Sequence, residues 1–224
     1  MSGHAPSGHA PSGHAPSGDS PRGGGWRADR LRERLAALRR TDRELTAFGA
    51  GSHGYLLGAS PTGADLAEFE ERQGITLPPD YRTFLLEVGD GGAGPCYGVF
   101  RLDGTDAEDF GAAERTAGFL ATPFPHTVDW NPNSQYPSPT WMEDPEYFDD
   151  RWITGSLALC HFGCGAVYRL VTAGPCRGQI WFDDRGSDGG VTHAAADFRT
   201  WYLDWLTGQE AAREAAQEAT HADR

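Results

Sequence analysis

The sequence predicts an α+β fold, a mostly antiparallel sheet with packed helices, behind a disordered N-terminal repeat. Three observations predict it. Apolar residues recur at helical spacing in several segments of the first half and again in DFRTWYLDWL. Between those regions, SLALCHF, AVYRLVT and GQIWFDD take the period of strands, and the GCG and AGPCR that separate them favour hairpins over long crossovers. Finally, a chain of 224 residues that is 38% hydrophobic and 11% aromatic is large and apolar enough to pack a core.

Each element follows in order. Residues 2 to 18 repeat the unit SGHAP and hold nothing that builds a core, so 1-25 reads as disordered repeat and linker, with His4, His9 and His14 parts of a low-complexity tail. Residues 26-60 read as an amphipathic helical extension and loop. Leu31, Leu35, Leu38 and Leu45 fall near one helical stripe, giving one helix, or two broken near Thr41, where T-D-R-E has the form of a capping box. The glycine-rich stretch 49 to 60 reads as loop with a short strand around Tyr55, Leu56 and Leu57. PTGADLAEFEERQG is a helix with Leu66 and Phe69 inward, closed by Gly74.

The next stretch, ITLPPDYRTFLLEVGDGG, is a short helix with well-marked ends. Pro79 suits its first position, Asp80 the positive end of its dipole, and Tyr81, Phe84, Leu85 and Val88 make one apolar face before Gly89, Gly91 and Gly92 stop it. PCYGVFRL reads as a strand, and the proline- and aromatic-rich run from Phe119 to Trp152 as ordered loop with short helical turns around Glu143 to Asp150. After the three strands, Phe198, Trp201, Tyr202, Trp205 and Leu206 form a core-docking helix capped near Asp197 and ending at Gly208. Residues 208-224 are helix-prone but have almost nothing to bury, and read as a solvent-exposed tail.

Charge narrows the function classes. Residues 1 to 43 hold eight Arg against four acids, +4, whereas 44 to 224 hold 11 Arg against 28 acids, −17. Such a body repels nucleic acid and anionic lipid and favours basic partners. No apolar run approaches the roughly eighteen residues of a membrane span, and the N-terminus lacks the apolar centre of a signal peptide, so a cytoplasmic location is expected. Cys96, Cys160, Cys164 and Cys176 are expected to be reduced core thiols. The C-H-F-G-C spacing is not that of a zinc knuckle, Phe162 and Val167 suggest a buried strand, and no cofactor is implied.

Taken together, the helix before Gly74, LPPDYRTFLLEVGDGG, the GCG-centred strand pair, GQIWFDD and the aromatic terminal helix resemble the SMI1/KNR4 family of the SUKH superfamily. The resemblance covers most of 61-207 as one domain. Asp90 stands where the family commonly has Asn before its paired glycines, and both the proline-aromatic insertion and the N-terminal extension lie outside the family pattern. The resemblance implies a non-catalytic protein-binding domain. Many bacterial relatives look like immunity proteins that neutralise a toxin, often a nuclease, and fungal relatives act as regulators linked to cell-wall synthesis.

An immunity-like protein needs carboxylates and aromatics where a basic toxin meets it. Two regions qualify: the insertion, with Asp129, Trp130, Trp141, Glu143, Asp144, Tyr147, Asp149 and Asp150, and the W-F-D-D strand, with Asp183 and Asp184. Trp181 itself reads as a core aromatic on an alternating strand. The enzymatic alternative is a hydrolase with Asp183 and Asp184, or Glu143 and Asp144, as acid and base, and with His161 or His193 as a general base. Adjacent strand carboxylates point to opposite faces, however, and no G-x-S-x-G, H-E-x-x-H or P-loop occurs. His161 reads as a satisfied histidine at the sheet surface.

Overall fold

The computed structural model describes residues 25–107, 110, 114, 116–132 and 144–222; the SGHAP repeat, Trp141 and Glu143 lie outside the described residues. The helices are α1 (Ala28–Thr41), the single turn α2 (Ala50–His53), α3 (Gly63–Gln73), α4 (Pro79–Glu87) and α5 (Phe198–Ala222). Local chemistry accounts for α3 and α4. Thr62 and Asp65 form a reciprocal capping box at the start of α3, and Gly74 closes it in the left-handed conformation. Pro79 opens α4 without losing a helical hydrogen bond. Asp80 behind it accepts the backbone N–H of Arg199 at 3.0 Å, joining the starts of α4 and α5.

The strands β1 (Ser156–Gly163), β2 (Ala166–Val171), β3 (Ile180–Asp184) and β4 (Gly190–Ala195) form one antiparallel meander in chain order. Arg169 pairs with Trp181 and Trp181 with His193, while Tyr168 pairs with Phe182; alternation therefore sends these two sets to opposite faces. The Tyr168 face carries the helices. Trp201 of α5 meets Tyr168 at 5.5 Å, and Phe198 and Tyr202 pack on Tyr81 and Phe84 of α4 at 4.7 and 4.9 Å. Trp26 packs edge-on against Phe84, Phe198 and Tyr202 and donates its indole N–H to the Asp80 carbonyl, so the N-terminal extension enters the same core with Leu31, Leu35 and Leu38. Against the Trp181 face lies the long connection before β1, with Phe124 5.2 Å from Trp181. The sheet is thus covered by helices on one side and by loop on the other.

Several expectations are corrected. T-D-R-E is not a capping box. α1 ends at Thr41 and the buried Asp42 takes the N–H groups of Thr46 and Ala47, the Tyr55 hydroxyl and Arg213. PCYGVFRL is not a strand, because Cys96 and Gly98 have positive φ; it makes one bridge, Val99 to Gly92, and lies along β1 through Tyr97 N–H to His161 O and Phe100 N–H to Leu159 O. The stretch 49 to 60 contains α2 in addition to a single bridge, Leu57 to Gly92. At Gly92, φ is +88° and a Cβ would stand 2.2 Å from the Leu56 carbonyl, so the glycine turn after α4 also lets the chain approach that bridge. β4 is additional to the three expected strands. α5 runs past Gly208 to Ala222 because α1 and the residue that follows it supply partners: Arg34 binds Glu210 through two hydrogen bonds, and Arg213 binds Asp42.

Candidate protein-binding surface

The face of the sheet under the loop is organised by a buried chain of charges. Asp183, 7% exposed, lies between two arginines. Arg185 grips it with two parallel hydrogen bonds, Nε to Oδ1 at 2.8 Å and Nη2 to Oδ2 at 3.0 Å, and uses Nη1 to donate to the carbonyls of Tyr147 and Asp149. Arg169 donates Nε to Asp183 Oδ2, Nη1 to Glu114 Oε1 and Nη2 to the Phe110 carbonyl. Glu114 also accepts the Ala158 N–H at 2.7 Å. Two buried acids thus face two buried bases, and the network fastens both ends of the long loop to β2 and β3. Burial pushes the Asp183 carboxyl up, but hydrogen bonds from Arg185 and the charges of Arg169 and Arg185 prevail and hold it below its ordinary range.

Around this clasp the insertion completes the sheet edge. Trp130 exchanges two backbone hydrogen bonds with Val191 of β4, at 2.9 and 2.7 Å, and Asp129 Oδ1 accepts the N–H of His193. Trp130 stacks on Trp152 at 4.7 Å and on Tyr147 at 5.6 Å. His126, whose Nε2 pairs with the Trp152 carbonyl, fills the space between Trp130 and Trp181. Burial raises the Tyr147 phenol to about 12.

The residues named from the sequence therefore divide. Tyr147 (2% exposed) and Asp183 lie inside the assembly, Trp130 is half-buried, and Trp181 is core as expected. Asp129, Asp144, Asp149 and Asp150 are exposed and Asp184 is half-buried, its carboxyl raised by burial and by the charge of Asp183 against a hydrogen bond from Ser187. Asp144 Oδ1 accepts the Glu146 N–H, and Asp149 Oδ1 accepts the Arg151 N–H where the 3-10 turn Asp150–Trp152 begins. These carboxylates stand on backbone that is already fixed. Sequence reasoning missed Arg169, Arg185 and Glu114; the one usable signal was an arginine within the otherwise apolar AVYRLV strand.

The groups considered for chemistry are placed otherwise. Asp183 and Asp184 point to opposite sides, one buried and one half-buried. His193 is exposed, and His161 is stacked between Phe110 and Tyr97 with its Nε2 lacking a hydrogen-bond partner among the described residues, so it is not the satisfied surface histidine expected. A 310 Å³ cleft includes Asp103 and Glu114 in its lining, the latter engaged by Ala158 and Arg169. Cys96, Cys160 and Cys176 are buried, but Cys164 is exposed in the β1–β2 turn, and Phe162, near the end of β1, is exposed rather than buried within the strand. Among the described residues, no group of three or more His, Cys, Asp or Glu is placed to hold a metal, and no helix is long and apolar enough to cross a membrane.

An antiparallel meander with helices on one face and an ion-paired, acid-bearing loop on the other defines an α+β domain. The SMI1 / KNR4 family (SUKH-1) model matches residues 60–204, from just before α3 into α5. The chain belongs to that family, and α1, α2 and most of α5, beyond Asp204, lie outside the matched span. No curated protein matches the chain significantly.

Proposed function

We propose that the chain is a non-catalytic, immunity-type binding domain that neutralises a basic toxin, such as a nuclease, in the cytoplasm. The observation that carries this reading is the preorganised acidic ridge of Asp129, Asp144, Asp149 and Asp150 on a loop whose backbone is held by the Arg185–Asp183 clasp. Carboxylates on fixed backbone steer a basic partner and lose little entropy when it docks. In this reading Trp130, Tyr147 and Asp183 support the surface from behind and Asp184 borders it.

The test uses the full chain as bait in lysate of the source cells, against a variant carrying Asp144→Lys, Asp149→Lys and Asp150→Lys. The expected result is one basic protein retained by the wild type and lost with the variant and at high salt. Co-expression then separates the roles: a partner that is toxic alone and harmless beside the chain is the toxin, whereas a harmless partner identifies a regulatory scaffold. Equal recovery by both baits overturns the ridge as the contact surface.

A further inference from the structure

Three of the large side chains that the fold leaves exposed are joined through Phe48. Phe48 (52% exposed) lies 5.2 Å from the ring of Tyr97 (43%) and 5.6 Å from that of Phe162 (44%). They come from separate places: the loop between α1 and α2, the turn before Val99, and the end of β1. Two of them are held from behind. Tyr97 stacks on His161, which lies on Phe110 at 4.3 Å, and Phe162 meets Phe182 edge-on. Scattered exposed aromatics need no explanation, but three joined through Phe48 form a surface that the protein's own core does not use.

Antiparallel pairing puts the end of β1, the start of β2, the end of β3 and the start of β4 at one end of the sheet, and the aromatics are there. The 3-10 turn Arg185–Ser187 abuts the β1–β2 turn so closely that a Cβ on Gly186 would lie 2.8 Å from the Cys164 carbonyl. Asp184, two residues beyond Phe182 and on its face of the strand, opens that turn, and Arg185 within it holds the Tyr147 and Asp149 carbonyls. The turn that Asp184 opens thus lies against the β1–β2 turn that follows Phe162, and Arg185 within it ties the Asp149 backbone to the same end of the sheet.

We propose that this end of the sheet is the docking surface for a basic protein, with Phe48, Tyr97 and Phe162 seating an arginine-bearing loop and the carboxylates of Asp184 and Asp149 at its rim. The proposal deepens the reading of the chain as a binder of a basic partner and rests on it. Ring faces attract guanidinium, and an apolar centre within a charged rim is the usual anatomy of an interface hot spot. Charge selects the occupant. Residues 44 to 224 carry −17 and the whole chain −13, so a second copy would meet repulsion where a basic loop meets attraction. Phe48 lies outside the family-matched span, so this chain adds part of the surface itself.

The test is an aromatic-resonance NMR titration of the full chain with the blocked peptide Gly-Arg-Leu-Arg-Gly and its counterpart Gly-Asp-Leu-Asp-Gly. The arginine peptide is expected to shift the Phe48, Tyr97 and Phe162 rings saturably, and the Phe48→Ser/Phe162→Ser variant to bind it about tenfold more weakly. Phe48→Leu, which keeps apolar bulk but removes a ring, should lose part of that affinity and serves if the double variant does not fold. Shifts confined to the residues around Asp144, Asp149 and Asp150 overturn the aromatic seat and leave the acidic ridge standing. Equal binding of the acidic peptide overturns the basic-partner reading with it. Binding of neither peptide, or ring shifts that follow protein concentration alone, overturns the proposal, the latter in favour of self-association.

Discussion

Replacing Asp42 by Asn isolates one buried carboxylate that joins three distant segments. Asp42 is 2% exposed; its Oδ1 accepts the Thr46 N–H at 2.8 Å and the Thr46 hydroxyl at 3.0 Å, and its Oδ2 accepts the Ala47 N–H at 3.1 Å and the Tyr55 hydroxyl at 2.8 Å and pairs with Arg213 at 2.5 Å. Burial pushes this carboxyl up, but the hydrogen bonds from Thr46, Tyr55 and Ala47 prevail and hold it at about 2. A carboxyl depressed on folding contributes stability above its unfolded value, and that contribution is lost as pH falls through the folded one. With an unfolded value near 3.8, and allowing for screening, the contribution is about 2 kcal/mol at pH 7 and about 1 kcal/mol at pH 3. Asn keeps one acceptor but turns an amide toward donors, so Asp42→Asn should cost about 3 kcal/mol at pH 7. Urea unfolding followed by fluorescence of the seven tryptophans reads this gap. It should narrow by about 1 kcal/mol between pH 7 and pH 3. A gap that stays constant over that range, or a variant as stable as wild type at pH 7, refutes the ionised hub.

Three further outcomes follow from the same geometry. Arg185→Gln leaves Asp183 with Arg169 alone and releases the Tyr147 and Asp149 carbonyls; we expect a loss of about 3 kcal/mol and faster amide exchange around residues 145 to 153, measured by hydrogen exchange. His53 is buried and neutral, its imidazole lowered by burial to about 4. Its contribution, present above the unfolded value near 6.5, should disappear as pH falls toward 4, so His53→Gln should flatten that part of the stability profile by about 2 kcal/mol in urea titrations. Gly49→Ala puts a Cβ 1.5 Å from the Cys96 carbonyl at a φ of +76°, and should lower the thermal midpoint sharply while disturbing the Phe48–Tyr97 contact in NMR spectra.

Much of the fold was legible because its signals are local. Pro79 and Gly74 mark helix ends through backbone angles that span only a few residues, and the equally local Thr62–Asp65 capping box, not singled out in the sequence, starts α3. The three expected strands show their period directly, and the alternation that separates Asp183 from Asp184 needs no tertiary information. The candidate site was legible only in outline: the insertion and W-F-D-D were identified, but whether each carboxylate faces water or an arginine was not.

By itself, then, the sequence determined the antiparallel α+β class, the end of α3 at Gly74 and the start of α4 at Pro79, the apolar faces of the helices and the acidity of the body. Tertiary structure decided the roles of the polar groups. Asp42 becomes a buried hub because Arg213 arrives from 171 positions away, α5 continues past Gly208 because Arg34 meets Glu210, and Asp183 becomes a buried clasp because Arg169 and Arg185 converge on it. The reason is physical: periodicity and capping act over a few residues of chain, whereas the state of a charge depends on which opposite charge folding brings within hydrogen-bond distance.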